Sequence, residues 1–192
     1  MSNVQQSEII KMLTDILDEL KIGYAIGGSI ASSIYGTPRF TQDADITVQP
    51  FLSVAEQLYE ILKNDFYISK DAMYQSLQNR SGFNIVHFAT AFKIDIFIQT
   101  ENVFHRQMFS RNRKLQLGQS SKAVSFVSPE DIILLKLDWY KQSGCVSERQ
   151  LSDVLGVLAG QKNNLDFDYL KKWASTLGLN EPLQKAISES EA

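Results

Sequence analysis

The sequence predicts an α/β (α+β) fold: a mixed sheet with flanking helices over residues 1–127, followed by a helical C-terminal subdomain over 128–192 packed on that core. Three observations carry this expectation. "IGYAIGG" followed by "SIASSIYG" is an apolar strand, a glycine stop and a helix in immediate succession. "FNIVHF" and "FKIDIFIQ" are two strands joined only by "ATA", which reads as a hairpin. At Ser128 the texture changes, and from there on the chain reads as helix.

Each element follows from its pattern. The opening stretch "MSNVQQSEIIKMLTDILDEL" places Ile9, Met12, Leu13, Ile16, Leu17 and Leu20 at helical spacing, so it predicts an amphipathic helix with these residues inward. After the strand–turn–helix unit, "DADITVQ" is a strand and "LSVAEQLYEILKN" a helix, while "DFYIS" and "DAMYQSLQN" give a weaker strand and short helix. Beyond the hairpin come a helix near 101–111 and the strand "KAVSFV". "SPEDIILLKLDWYKQ" then opens with a Ser cap, Pro at the first helical position and acids in the first turn, all favourable at a helix N-terminus. Residues 147–160, 166–178 and 181–189 supply three more helices.

Composition bounds the function. The 192 residues are 44% hydrophobic and 21% charged, with no repeat or low-complexity tract, as in an ordinary folded protein. A formal charge of −3 supplies no global basic field for non-specific nucleic-acid binding. A local basic stretch exists in "HRQMFSRNRKLQLGQSSK", where Arg106, Arg111, Arg113, Lys114 and Lys122 meet no acid; it reads as a solvated helix end and loop, or as a rim for an anionic substrate or tRNA. The single Cys145 excludes an intramolecular disulfide and fits a cytoplasmic location. The N-terminus lacks a basic leader and an uninterrupted apolar run, which argues against a signal peptide or membrane span.

The chemistry concentrates in "IGGSIASSIYGTPRFTQDADI". Asp43 and Asp45 stand at i and i+2 on a strand, so both side chains leave one face. Two carboxylates that close repel unless a cation joins them, and hard oxygen ligands favour magnesium or manganese. The alternative is a solvent-facing pair on an edge strand. Gly27, Gly28 and Ser29 lie between strand and helix, where unpaired amides and the helix dipole favour a phosphate; the alternative is a steric turn. Asp95 interrupts the apolar "FKIDIFIQ", and a carboxylate there should face a metal, a base or a cavity. A salt bridge from Lys93 to Asp95 is the disfavoured reading. Asp95 is a candidate to take a proton from an incoming hydroxyl. Arg39 can grip phosphate oxygens bidentately or pair with a nearby acid.

The run G-G-S-x-A, then Y-G-x-P-R-x-T-x-D-x-D-I, then "SPEDIILLKL" resembles the polymerase-beta-like nucleotidyltransferases, and more narrowly the bacterial proteins related to AbiE-type toxins. The resemblance covers roughly residues 20–160. It implies a nucleotidyltransferase core, two magnesium ions, and transfer of a nucleoside monophosphate from a nucleoside triphosphate such as ATP to a hydroxyl acceptor, with release of pyrophosphate. Carried over by position, Gly28 and Ser29 hold the triphosphate, with Gly27, Arg39 and Thr41 beside them; Asp43 and Asp45 hold metal, and Asp95 is the third acid. Asp43 follows Ser29 by 14 positions, a longer loop than in minimal members, which points to the longer bacterial group.

Lys136 interrupts an apolar helix, and either reaches a nucleotide phosphate or neutralises an acid such as Asp153. His87 and His105 have no companion motif, and Phe83, Phe88, Phe92 and Phe97 read as core. Small molecule, tRNA and protein hydroxyl all stay open as acceptor. A catalytically inactive nucleotide-binding module, or the partner of an antitoxin, is the alternative function. A sugar-nucleotide glycosyltransferase gives "GGS" no role.

Overall fold

A computed structural model describes residues 3–118 and 122–190. Residues 119–121 of the basic stretch and the first two residues of the expected opening helix lie outside the described residues. In chain order the elements are α1 (Asn3–Glu19), β1 (Tyr24–Ile26), α2 (Gly28–Tyr35), β2 (Asp43–Val48), a short 3-10 turn (Leu52–Val54), α3 (Ala55–Leu62), β3 (Phe66–Ile68), α4 (Lys70–Asn79) and β4 (Gly82–His87). There follow β5 (Lys93–Ile98), α5 (Val103–Ser110), β6 (Arg113–Gln116), β7 (Ala123–Phe126), α6 (Pro129–Gln142), α7 (Glu148–Gln161), α8 (Phe167–Leu177) and α9 (Asn180–Ser190). The chain divides into two compact units, the first Met1–Gly27 with Phe40–Phe126, the second Gly28–Arg39 with Val127–Ala192.

The first unit holds a mixed seven-stranded sheet in the order β3, β4, β5, β2, β1, β7, β6. β2 runs parallel to β5 and antiparallel to β1, which in turn is parallel to β7. On β2 the alternation is regular: Ala44, Ile46 and Val48 are fully buried while Asp43, Asp45 and Thr47 face the half-open side. β5 repeats it with Ile94, Ile96 and Ile98 inward. α1 forms as the periodicity predicts, with Ile9, Leu13 and Leu17 buried. Its inner stripe is rotated from the expected one: Gln6, Ile10 and Thr14 are buried, whereas Met12, Ile16 and Leu20 are half-exposed.

Two expectations need correction. β6 extends through residues read as a loop, because an edge strand with a single neighbour, β7, needs no apolar alternation and tolerates Arg113 and Lys114 on its exposed positions. Phe88 and Phe97 are not core, being 60% and 41% exposed, whereas Phe83 and Phe92 are buried. Phe97 falls on the same side of β5 as Lys93 and Asp95, and the two-residue period carries it outward with them.

The second unit is helical. Its α6 starts as the sequence predicts, with the Ser128 hydroxyl accepting from the Asp131 amide (3.2 Å) and Pro129 in the first turn. The Ser128 hydroxyl also donates to the Asp131 carboxylate (2.6 Å), which accepts a second bond from the Tyr169 hydroxyl of α8 (2.7 Å). α2 belongs to this unit and packs on α7 and α6. The approach is close: a Cβ at Gly36 would stand 2.4 Å from the Gly156 backbone, and one at Gly160 would stand 2.4 Å from the Tyr35 carbonyl oxygen. Among the described residues no helix is long and apolar enough to cross a membrane.

Candidate functional site

Parallel pairing of β2 with β5 sets Asp43 beside Lys93 and Asp45 beside Asp95, so three carboxylates and one lysine share the half-open face of the first unit. β4 continues this face, with Asn84 opposite Asp95 and Val86 opposite Lys93. The Lys93 ammonium lies 2.7 Å from the Asp95 carboxylate, their side chains 44% and 23% exposed. This is the ion pair the sequence reading disfavoured. It forms because both groups are only partly desolvated, so the lysine stem can lie along the strand at little cost. The hydrogen bond with Asp95 raises the Lys93 pKa; burial opposes this, and the charges of Asp95, Asp43 and Asp45 add to it.

Asp43 is held as well. The Thr41 hydroxyl donates to its carboxylate (2.8 Å), and Gln6, buried on α1, donates to the Thr41 carbonyl (2.7 Å), fixing the strand entry. The Gly27 amide donates to the Asp45 carbonyl (2.8 Å), so this N–H serves the sheet. Among the described residues no group of three or more His, Cys, Asp or Glu side chains stands ready as a cation cage. The donor set nonetheless fits a hard divalent cation in chemistry, since all its members are carboxylates on one face of two adjacent strands.

In the second unit, Gly28 opens α2 with a positive φ of 54°, a conformation that favours glycine. Ser29 follows on the first turn, where backbone amides have no intrahelical acceptor. Arg39 is tied to α2 through Ser29 and Ser33: its guanidinium donates to the Ser29 hydroxyl, its backbone N–H donates to the Ser33 hydroxyl (3.3 Å), and its carbonyl accepts from that hydroxyl (3.4 Å). The same guanidinium grips Asp153 of α7 bidentately, Nε to Oδ1 at 2.6 Å and Nη2 to Oδ2 at 2.8 Å. The anticipated ion pair between Lys136 and Asp153 is present, at 2.7 Å, with both side chains buried. Burial alone would raise the Asp153 carboxyl. Hydrogen bonds from Arg39 and then Lys136, with their charges, outweigh it and hold the pKa below the ordinary aspartate value. Two cations therefore share one carboxylate beside the N-terminus of a helix, a setting that favours an anion.

Of the sequence-derived residues, Thr41, Asp43, Asp45 and Asp95 come together on the first unit, and Gly28, Ser29, Arg39 and Lys136 on the second. His87 bonds the Thr90 hydroxyl (2.9 Å) and His105 the Thr100 hydroxyl (2.6 Å), both local contacts. Sequence reasoning noticed Asp153 only as a counter-ion for Lys136 and missed that it organises Arg39. The signal was there: Asp153 is an acid on the α7 stripe whose other members, Val154 and Val157, are apolar and buried.

No protein-family model matches the chain, and no curated relative matches it. Solved structures do. The chain is similar to an antigenic nucleotidyltransferase-like protein from Paracoccidioides brasiliensis, at 17% identity and a TM-score of 0.55 over 95% of this chain and 91% of that one. It is similar to the antibiotic-resistance factor ANT(2'')-Ia, at 14% identity and a TM-score of 0.57 over 99% and 97% of the two chains. A Thermotoga maritima protein described as a nucleotidyltransferase gives 13% identity and a TM-score of 0.51 over 80% and 96%. The mixed sheet with flanking and C-terminal helices is thus the nucleotidyltransferase fold.

Proposed function

We propose that this chain is a nucleotidyltransferase that moves a nucleoside monophosphate from a nucleoside triphosphate to a hydroxyl acceptor, related in kind to the bacterial AbiE-type toxins its sequence resembles. The observation that carries the reading is the register of β2 on β5, which puts Asp43, Asp45 and Asp95 on one face of a nucleotidyltransferase sheet. Asp43, Asp45 and Asp95 are the residues to hold magnesium or manganese. When bound, such an ion would withdraw charge from the phosphates and acidify the acceptor hydroxyl. Gly28, Ser29 and Arg39 are assigned to the triphosphate, with Lys136 and Asp153 fixing the guanidinium and Gly27 and Thr41 shaping the backbone around the site residues. Asp95 takes the acceptor proton, the acceptor oxygen bonds to the alpha-phosphorus, and the bond to the bridging oxygen breaks to release pyrophosphate.

A small hydroxylated molecule is the favoured acceptor over tRNA. The basic stretch is partly neutralised, because Lys122 pairs with Asp15 and Asp18 at 2.6 and 2.8 Å, and the chain as a whole carries a charge of −3. ANT(2'')-Ia, whose fold this chain shares, is an antibiotic-resistance factor. A cytoplasmic setting completes the proposal, and an antitoxin partner belongs to the alternative reading, an inactive interaction module of the same fold.

Calorimetric titration with a non-hydrolysable nucleoside triphosphate, with and without magnesium, tests it. Magnesium-dependent binding that disappears in the Asp43→Asn, Asp45→Asn double variant is the expected result. A folded wild type that binds no triphosphate with or without metal would overturn the enzyme reading in favour of an inactive interaction module.

A further inference from the structure

We infer that Lys93 is a built-in counter-ion of the carboxylate face: it holds Asp95 while no divalent cation is bound, releases it when one binds, and so sets the metal affinity of the face. The inference rests on reading Asp43, Asp45 and Asp95 as metal ligands, and it adds a residue that this reading does not need.

Register alone creates the problem that Lys93 solves. Asp45 and Asp95 are direct neighbours on parallel strands with Asp43 two residues away, so three like charges crowd one face in the metal-free protein. Lys93 is a cation on that face, placed by the register beside Asp43 and by its ion pair, at 2.7 Å, on Asp95. Asp43 meanwhile accepts from the Thr41 hydroxyl. Asp95 and Asp43 thus each accept from an internal donor, the Lys93 ammonium and the Thr41 hydroxyl.

The geometry also favours exchange. The Lys93 side chain is 44% exposed on a flexible four-carbon stem, and an ion pair at such exposure is weak, so the ammonium can swing to solvent when a stronger cation arrives. A purely structural bridge would give a different outcome on substitution, because removing Lys93 would then cost stability and leave metal binding where it was.

The test is binding of manganese to the full-length protein without nucleotide, followed by the electron paramagnetic resonance signal of the free ion. Wild type, Lys93→Met, Lys93→Gln and Asp45→Asn are compared, with urea midpoints measured alongside. Lys93→Met and Lys93→Gln should bind manganese about fivefold more tightly or better, the effect of deleting a competing partly exposed charge, with urea midpoints close to wild type. Asp45→Asn should abolish binding. Equal or weaker binding by both Lys93 variants, with wild-type binding intact, overturns the counter-ion role and leaves the metal reading standing. Absence of manganese binding in every folded variant overturns the metal reading itself, and the counter-ion role falls with it.

Discussion

Asp153 accepts from two cations in a buried position, and its removal takes the counter-charge from the buried Lys136 ammonium. Asparagine keeps the shape but not the charge, and leaving a buried cation uncompensated typically costs about 3 kcal/mol or more. Asp153→Asn should therefore lower the unfolding free energy by about that amount in urea titration. The pH dependence follows from the depressed carboxyl. An acid whose folded pKa lies below its unfolded one contributes in full above the unfolded value and loses that contribution as pH falls through the folded one. Wild-type stability should accordingly drop as the pH goes below 3.8, the ordinary aspartate value, and the Asn variant should show a smaller drop over the same window. Arg39→Lys probes geometry instead of charge. Lysine cannot grip both Asp153 oxygens and reach the Ser29 hydroxyl, as the guanidinium does. Triphosphate affinity measured by calorimetry should fall roughly tenfold, the loss of one charge-assisted hydrogen bond, while the far-ultraviolet dichroism stays that of wild type.

The packing of α2 on α7 depends on the absence of side chains. Gly160 has the Tyr35 carbonyl oxygen where its Cβ would stand, at 2.4 Å, and backbone cannot move aside as a side-chain tip can. Gly160→Ala should destabilise by about 1–3 kcal/mol despite the better helix propensity of alanine, read from the urea midpoint. Alanine at an unpacked helical glycine would stabilise, so a gain here would show that the helices can part without cost. The sequence made the elements with strong local chemistry legible: Ser128 and Pro129 announced the start of α6, and the two-residue alternation in "DADITV" announced β2 and the face its acids occupy. It hid what depends on partners distant in the chain. β6 is polar because only β7 lies beside it, so no apolar period marks it. The double clamp on Asp153 joins positions 39, 136 and 153, and the Asp45–Asp95 pairing needs the parallel register of two strands separated by 50 positions. Glycines 156 and 160 could be seen in "LGVLAGQ", yet only their neighbour α2 shows what they are for.

At the scale of the whole chain, sequence order and cooperative order part company. β1 and α2 are joined by the Gly27–Gly28 peptide bond, yet β1 belongs to the unit built on the sheet and α2 to the unit built on α6 to α9. α2 is eight residues long, too short to persist without tertiary packing. Its buried residues Ala31, Ser32 and Tyr35 find that packing on α6 and α7. Native-state hydrogen exchange should therefore place the amides of 28–35 in the same opening reaction as α7, with the same denaturant dependence, and apart from those of Tyr24–Ile26. Val157→Ala gives the decisive arm, since Val157 is fully buried on α7 and the loss of two methyl groups costs on the order of 1–3 kcal/mol. Exchange in α2 should quicken together with that in α6 and α7, while β4 and β5 keep their wild-type protection. Had α2 instead followed β1, the turn at Gly27 and Gly28 would be stabilised by the sheet, and substitutions in α7 would leave Ser29 and its amides untouched. The expected pattern makes α7 the element that supports both the helix carrying Ser29 and the carboxylate that holds Arg39, so the two groups assigned to the triphosphate stand or fall together.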